Sequence, residues 1–205
     1  MKRIGLTPRL LNNSDYHEIR EAWDINWSKL VMEMGHLPIL LSVNYSKKQI
    51  EALGLDAVIF TGGNDLAIIN DNDLSIYRDK YETLVLQFCL KRKLAVVGIC
   101  RGMQFLAHYF GESLTAVSGH VSTRHKLILN SDCSYYEYLK RSTDVNSYHN
   151  YGITEVSNRW EILAESPDGV IKSISHKQEK ILAHMWHPER EQPFFDKAQV
   201  TLIKQ

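Results

Sequence analysis

The first half of the chain alternates short apolar runs with longer runs in which apolar residues recur at helical spacing. The apolar runs predict strands, and the periodic runs predict helices. Strands are predicted over residues 3–6, 37–41, 57–60 and 94–98, and helices over residues 16–34, 47–53, 78–91 and 103–110. Such alternation is typical of an α/β fold in which an open, mostly parallel sheet carries helices on both faces.

After Gly111 the pattern changes to shorter β-like segments separated by turn residues. These segments cover residues 126–129, 160–164, 170–175 and 180–186, and a last helix is predicted over residues 194–203. No repeat, low-complexity tract or linker interrupts the chain. We therefore expect one domain over residues 1–205, with its ligand site beyond the carboxyl ends of the strands. The polar stretch 70–75 is predicted to be a mobile loop.

Composition narrows the class of partner. The chain has 205 residues, of which 44% are hydrophobic, and its 24 Lys and Arg balance its 24 Asp and Glu. A balanced chain has no global field to hold nucleic acid or an anionic membrane, so we expect a small-molecule partner and neither of those. The sequence allows a homodimer without determining it. Three cysteines cannot all pair, and no signal peptide or membrane-spanning run is present, which favours the cytoplasm.

Cys100 is the candidate nucleophile. It lies between the apolar run 94–97 and the helical run 103–110, with Gly98 two residues before it and Gly102 two residues after it. Small residues at these positions allow a sharp strand-to-helix turn that lifts the reactive side chain out of the sheet. The N-terminus of the following helix would favour the thiolate. Cys89 and Cys133 have no such turn, and we expect both to be structural.

His187 and Glu189 are candidates for the base and its orienting group. A cysteine nucleophile needs an imidazole to move its proton, and the imidazole needs an acceptor that fixes its tautomer. Pro188 stiffens the segment between them, so that both side chains can point the same way after a strand. The paired glycines Gly62 and Gly63 also follow an apolar run. There they can bring backbone N–H groups close to a ligand.

These motifs resemble the class I glutamine amidotransferases, and within them the γ-glutamyl hydrolases of the peptidase C26 branch. The match extends over residues 4–189 and is carried by residues 98–104 (Gly-Ile-Cys-Arg-Gly-Met-Gln), 145–149 (Val-Asn-Ser-Tyr-His) and 186–189 (Trp-His-Pro-Glu). Residues 78–82 and 166–170 resemble the same branch. The resemblance implies a flavodoxin-like α/β fold and a Cys100, His187 and Glu189 triad.

The resemblance also implies roles around the triad. The N–H groups of Gly63 and Arg101 would form the oxyanion hole. Contacts to the glutamyl group would come from Gly62, Gln104, Asn146, Ser147 and His149. The chain departs from the family pattern at Met185 and Tyr151, where Gln is usual, and at Lys172, where Glu is usual. These departures leave the triad intact and concern the surroundings of the leaving group.

A basic cluster outside these motifs could receive an anionic leaving group, although we favour a solvated loop as its interpretation. It consists of His120, Arg124, His125 and Lys126. No compact set of His, Cys and carboxylates has metal-ligand spacing, so we expect no metal, and nothing in the sequence calls for another cofactor.

The sequence therefore predicts a stand-alone hydrolase that cleaves a γ-glutamyl amide through a thioester. We favour an amidate of cytidine diphosphate as the leaving group over γ-glutamyl-aminobutyrate. The alternative enzyme is a glutaminase subunit that delivers ammonia, and it would need a separate synthase partner because the chain has no nucleotide-activation motif of its own. A regulatory protein with a spent site is disfavoured by the intact triad.

Overall fold

The structure is a computed structural model that describes residues 1–191. The strands are β1 (Arg3–Leu6), β2 (Arg9–Asn12), β3 (Ile19–Ala22), β4 (Leu37–Leu40), β5 (Ala57–Phe60), β6 (Ala95–Ile99), β7 (Thr115–Ala116), β8 (Val121–Lys126), β9 (Ile128–Leu129), β10 (Asp144–Tyr148), β11 (Tyr151–Gly152), β12 (Trp160–Glu165), β13 (Ile171–His176) and β14 (Ile181–His184). The helices are α1 (Ile25–Glu33), α2 (Lys47–Ala52), α3 (Asp73–Arg92), α4 (Arg101–Tyr109) and α5 (Tyr136–Leu139), followed by a 3₁₀ turn at Pro188–Arg190. The helix predicted over residues 194–203 lies outside the described residues.

The main sheet has the strand order β4-β1-β5-β6-β14-β13-β12-β9. Its first five strands pair in parallel, and the remaining pairs are antiparallel. β14 pairs with β6 in a register that sets His184 opposite Ile99. The chain segments that follow these two strands therefore leave the sheet at the same edge, which brings Cys100 close to residues 185–187.

Both faces of the parallel part are covered, as the continuous apolar runs predict. Val58 and Phe60 of β5 pack in one buried cluster with residues of α2, α3 and α4. Ile59 points to the opposite face, where it packs with Trp27 and Leu30 of α1. The mostly parallel open sheet with helices on both faces is confirmed, as are the additional short strands of the second half.

The helix predicted over residues 16–34 is wrong in its first part. Residues 19–22 form β3, which pairs with β2 in an antiparallel hairpin. α1 begins only at Ile25, after Asp24 caps it by accepting a hydrogen bond from the Asn26 N–H at 2.9 Å. A run of four residues does not separate a period of 2.0 from one of 3.6, so the pairing with β2 decided the outcome.

Three other elements differ from the prediction. The second half of the predicted loop 70–75 is the first turn of α3, which Asn72 caps by accepting from the Ser75 N–H at 3.0 Å. β8 starts at Val121 instead of residue 126, and β10 was not predicted. β8 and β10 pair only with each other, and the alternation of their polar residues gives no apolar run to recognise.

The two cysteines predicted to be structural are both free and buried. Burial in the α3 core raises the pKa of Cys89 to about 12, and burial also raises the pKa of Cys133. Neither thiol ionises readily, in accord with a packing role. None of the helices within residues 1–191 combines the length and apolarity needed to cross a bilayer.

Candidate active site

Cys100 occupies the turn between β6 and α4 with φ 53° and ψ −106°. The two flanking glycines permit this turn by allowing close backbone contact. A Cβ atom on Gly102 would lie 2.0 Å from the carbonyl oxygen of Phe60, and one on Gly98 would lie 2.9 Å from the carbonyl oxygen of Gly102. Because those neighbours are backbone atoms that cannot rotate away, larger residues would push α4 off the sheet. The predicted strand, turn and helix around Cys100 are confirmed.

His187 lies beside Cys100 in the segment that follows β14, and its position is fixed from two sides. Its Nδ1 is 2.7 Å from Oε1 of Glu189, which the 3₁₀ turn at Pro188–Arg190 brings back beneath the ring. Its backbone N–H donates to Asn146 Oδ1 at 2.8 Å, and its carbonyl accepts from Asn146 Nδ2 at 2.7 Å. With Nδ1 engaged by Glu189, Nε2 is the ring nitrogen left to bond Cys100.

The electrostatics of this pair favour an ionised thiol. Burial by itself raises the pKa of Cys100, but the charge and hydrogen bond of His187 outweigh it, and the pKa is lowered. Burial likewise lowers the pKa of His187, but the Glu189 carboxylate and the Cys100 sulfur together raise it to about 10. Both shifts favour the form in which a thiolate lies beside an imidazolium, which is the form a cysteine nucleophile requires.

A cavity of about 320 Å³ opens onto Cys100. Six of the predicted site residues line it: Gly63, Cys100, Arg101, Gln104, His149 and His187. Seven further residues line it that were not assigned to the site from the sequence: Arg9, Asn64, Asp65, Tyr148, Asn150, Tyr151 and Arg190. A larger cavity of about 810 Å³ lies between the β2–β3 hairpin and the start of α3, but none of the triad residues lines it.

Gly62 and Gly63 form a turn that packs against the triad. A Cβ atom on Gly62 would lie 2.7 Å from Cε1 of His187, and Gly63 has a φ of +113° that disfavours other residues. The carbonyl oxygens of Thr61 and Gly62 accept from the buried Arg78 guanidinium at 2.7 and 3.1 Å. Because the N–H and C=O of a trans peptide point in opposite directions, this contact turns the Gly63 N–H away from Arg78.

Arg78 belongs to a buried charge network that sequence reasoning missed. Its Nε donates to Glu82 at 3.0 Å, and Glu82 also pairs with Arg101, which in turn pairs with Asp79. Burial raises the pKa of Glu82, but the two guanidinium groups overcome this effect and lower it. The side chain of Arg101 therefore ties the start of α4 to α3, while its backbone faces the cavity. The spacing of Arg78 and Glu82 on one helix face was the available signal.

Three residues predicted to contact the glutamyl group, Asn146, Ser147 and Gly62, do not line the cavity. Asn146 is 4% exposed and is engaged by His187 and Glu191, and Ser147 is 0% exposed. They lie behind His187 and support the side of the site that His187 forms. Gln104 does reach the cavity, and its side chain donates to the carbonyl of Tyr151 at 2.7 Å. Gly62 lies against His187 but also outside the cavity lining.

Lys172, where the family pattern has Glu, lies in a buried polar cluster next to the cavity. Its Nζ is 2.8 Å from His120 Nδ1, 2.8 Å from His149 Nε2 and 3.2 Å from Ser147 Oγ. An ammonium group only donates, so both ring nitrogens that face Lys172 accept. Burial and the Lys172 charge lower the pKa of His149 to about 3. His149 is therefore a fixed hydrogen-bonding group and is unsuited to act as a base.

The predicted basic cluster is not assembled at the cavity. His120 is buried with its Nε2 2.8 Å from Asp168, and His125 stacks on it. Arg124 pairs with Asp144 and with Glu191, and the exposed Lys126 is not among the residues that line the cavity. Side chains alternate between the two faces of a strand, so residues that are adjacent in sequence do not point into one site.

Within residues 1–191, no group of three or more His, Cys, Asp or Glu side chains is arranged to hold a metal ion. The absence of a metal stays a prediction from the sequence. His184 illustrates why many histidines do not make a metal site. It is buried, its Nδ1 is hydrogen-bonded to Ser173 Oγ at 2.9 Å, and it stacks on Trp186.

Comparison with known proteins adds three observations. The sequence profile of the peptidase C26 family matches residues 3–189. The gamma-glutamyl-CDP-amidate hydrolase of Campylobacter jejuni is 36% identical over 191 residues, which cover 92% of this chain and 90% of that protein. A glutamine-hydrolysing GMP synthase of Thermosipho africanus is 26% identical over 159 residues, which cover 78% of this chain but only 29% of that protein.

Solved structures agree with the fold. The crystal structure of a glutamine amidotransferase from Thermotoga maritima matches with a TM-score of 0.65, covering 92% of this chain and 76% of that one. The two sequences are 15% identical, so the likeness concerns the fold alone.

Proposed function

The chain belongs to the peptidase C26 family, and from this we propose that it is a γ-glutamyl hydrolase in which Cys100 forms a glutamyl thioester. The observation that carries the proposal is that the buried Cys100 and His187 share a cavity of about 320 Å³, with His187 Nδ1 2.7 Å from Glu189 Oε1. The flanking glycines hold this pair in the geometry of a nucleophile elbow.

In the first half of the reaction, the Cys100 thiolate attacks the γ-carbonyl carbon of the substrate. The negative charge that develops on the carbonyl oxygen would be stabilised by the N–H groups of Gly63 and Arg101, and loss of one such donor costs on the order of a hundredfold in rate. The imidazolium of His187 gives its Nε2 proton to the leaving nitrogen. The C–N bond then breaks, which leaves the glutamyl thioester and the free amine or amidate.

In the second half, the now neutral His187 takes a proton from water, and the resulting hydroxide attacks the thioester carbonyl. The C–S bond breaks, glutamate departs, and the thiolate and imidazolium are restored. Glu189 holds the ring in one orientation through both steps and stabilises its charged form. Tyr151 and His149 would hold Gln104 and the adjoining cavity surface in place. The glutamyl group would lie against that surface.

The substrate we propose is γ-glutamyl-CDP-amidate, hydrolysed to glutamate and cytidine diphosphoramidate. Support comes from the 36% identity to the Campylobacter jejuni hydrolase over 92% of the chain. The balanced charge and three free cysteines support a small-molecule reaction in the cytoplasm, without nucleic acid, in one domain of residues 1–205. A homodimer fits the same proposal.

The test is a comparison of substrates. We expect glutamate release from γ-glutamyl-CDP-amidate to be much faster than from glutamine or γ-glutamyl-aminobutyrate, and we expect Cys100→Ala to abolish it while keeping the folded state. Mass spectrometry of quenched wild-type enzyme should detect the thioester on Cys100. Preferred hydrolysis of glutamine would instead favour the glutaminase alternative, and substantial turnover by Cys100→Ala would overturn the mechanism.

A further inference from the structure

Two arginines that the sequence motifs do not include stand at the cavity that holds Cys100. Arg9 comes from β2 of the hairpin, and Arg190 ends the 3₁₀ turn after His187. Both also line a second cavity of about 280 Å³ on the side of Trp23, so they separate the two spaces. Two guanidinium groups in these positions would attract a negatively charged group of a ligand.

Arg9 lies over the turn at Gly62 and Gly63, which is predicted to contribute to the oxyanion hole. A Cβ atom on Gly63 would be 2.8 Å from both Cβ and Nε of Arg9, so the arginine packs directly on this glycine. Its Nε is buried and has no hydrogen-bond partner among residues 1–191. A buried guanidinium N–H without an acceptor is costly, and such a group calls for a partner such as water, an ion or a ligand.

Arg190 lines the same cavity as His187. Its guanidinium carbon is 5.3 Å from the centre of the Tyr148 ring, and Tyr148 in turn packs edge-on to His187 at 5.9 Å. Its ion-pair contact with Glu189 is long, at 3.6 Å, and that carboxylate is already bonded to His187. Arg190 therefore retains hydrogen-bonding capacity next to the position of the leaving group.

The charge around this position favours an anion. Arg101 and Arg78 are neutralised by Glu82 and Asp79, whereas within residues 1–191 Arg9 has no ion pair and Arg190 has only its long contact with Glu189. Asp65 is the carboxylate on the cavity lining, and it is exposed to solvent. The opposite part of the lining, from Gln104 and Tyr151, is neutral. Guanidinium groups bind phosphoryl oxygens through paired N–H donors, which a single ammonium does not provide.

We propose that Arg9 and Arg190 together bind the phosphoryl group of the leaving half of the substrate, on the His187 side of the cavity. This inference rests on the proposed γ-glutamyl hydrolase function and assigns the anion-binding role to these residues in place of Arg124 and Lys126. An organic group attached to the phosphate would extend into the second cavity, beside Trp23.

The first experiment measures binding without catalysis. Titration calorimetry of inorganic pyrophosphate and of CDP into the Cys100→Ala protein should show one site, and Arg9→Gln and Arg190→Gln should each weaken it roughly ten- to a hundredfold. Arg141→Gln is the matched control, because Arg141 is exposed and lies outside both cavity linings. Equal affinity in wild type and both variants would overturn the inference, even if the hydrolase function holds.

The second experiment separates the two halves of the substrate. In otherwise wild-type enzyme, the ratio of kcat/KM for γ-glutamyl-CDP-amidate to that for γ-glutamyl-p-nitroanilide should fall roughly ten- to a hundredfold in either arginine variant. A loss of equal size on both substrates would show that the arginines bind the glutamyl carboxylate or support the fold, and would refute the assignment. Absence of hydrolysis of either substrate would count against the proposed function, while calorimetry would still decide the anion site.

Discussion

Replacing Gly62 by alanine adds one methyl group next to the imidazole of His187, the candidate catalytic base. The new Cβ would lie 2.7 Å from Cε1 of His187, and no other atom of the protein outside that ring and the adjacent residues is within 3.6 Å. The backbone at Gly62 does not have a positive φ, so alanine meets no conformational strain of its own. The perturbation therefore acts on one named contact.

The size of the effect follows from that distance. An ordinary carbon contact begins near 3.4 Å, so the ring and the methyl group must separate by about 0.7 Å. His187 is held by Glu189 and by both sides of Asn146, so the separation strains those bonds as well as the contact with Cys100. A misplacement of about 1 Å costs on the order of a hundredfold in rate, and we expect Gly62→Ala to lose roughly ten- to a hundredfold in kcat.

Stopped assays of glutamate release give kcat and KM, and the rate of Cys100 alkylation by iodoacetamide as a function of pH reports the thiolate. Gly62→Ala should shift the alkylation profile to higher pH because the displaced imidazolium stabilises the thiolate less. KM should change less than kcat, since Gly62 lies outside the cavity lining.

Gly5→Ala is the matched control for crowding. A Cβ at Gly5 would lie 3.1 Å from side-chain carbons of Leu41 and Leu55, in the core and away from the triad. Overpacking of this kind costs about 1–3 kcal/mol of stability, and we expect kcat to stay near wild type. If Gly62→Ala keeps its kcat within threefold, or if Gly5→Ala loses as much, the contact with His187 does not control the rate.

Three further outcomes are expected. Glu189→Gln should retain more activity than His187→Ala and should move alkylation of the nucleophile to higher pH, because the carboxylate raises the pKa of His187; equal residual rates would contradict this order. Burial lowers the pKa of His184 to about 3, so the unfolded state binds more protons below pH 6.5 and the free energy of unfolding decreases as the pH is lowered. His184→Asn should remove about 3 kcal/mol of that decrease between pH 6.5 and 4, as measured by urea unfolding. Lys172→Met leaves two imidazole acceptors unsatisfied and should cost about 1–3 kcal/mol of unfolding free energy, against no measurable change in the exposed Lys126→Met.

Most of the sheet could be predicted because parallel strands buried on both faces appear as continuous apolar runs. β5 and β6 show this clearly, and their ends mark the turns that carry Gly63 and Cys100. Short paired strands with mixed polar faces, such as β3 and β10, have no such signature. Their existence depends on a partner strand elsewhere in the chain, which a local pattern does not identify.

The candidate site, like the fold, has residues that local sequence predicts and residues that it does not. Cys100 with its flanking glycines, and His187 with Glu189, are each contained in a few adjacent residues, so local spacing was enough to find them. The positions of Asn146 and Lys172 could not be predicted from local spacing. Asn146 lies behind His187, and Lys172 donates to His120 and His149, through contacts between strands far apart in sequence.

The sequence alone determined the α/β class, the strand-to-helix turn at Cys100 and the chemistry of its partners, because each depends on periodicity or on residues within one turn. Tertiary structure decided which charges reach the cavity. The register of β14 against β6 brings His187 to Cys100, and the hairpin places Arg9 over Gly63. Pairing between strands places side chains in space, and neighbouring positions on one strand point to opposite faces, so a cluster in sequence such as Arg124 and His125 need not be a cluster in the folded protein.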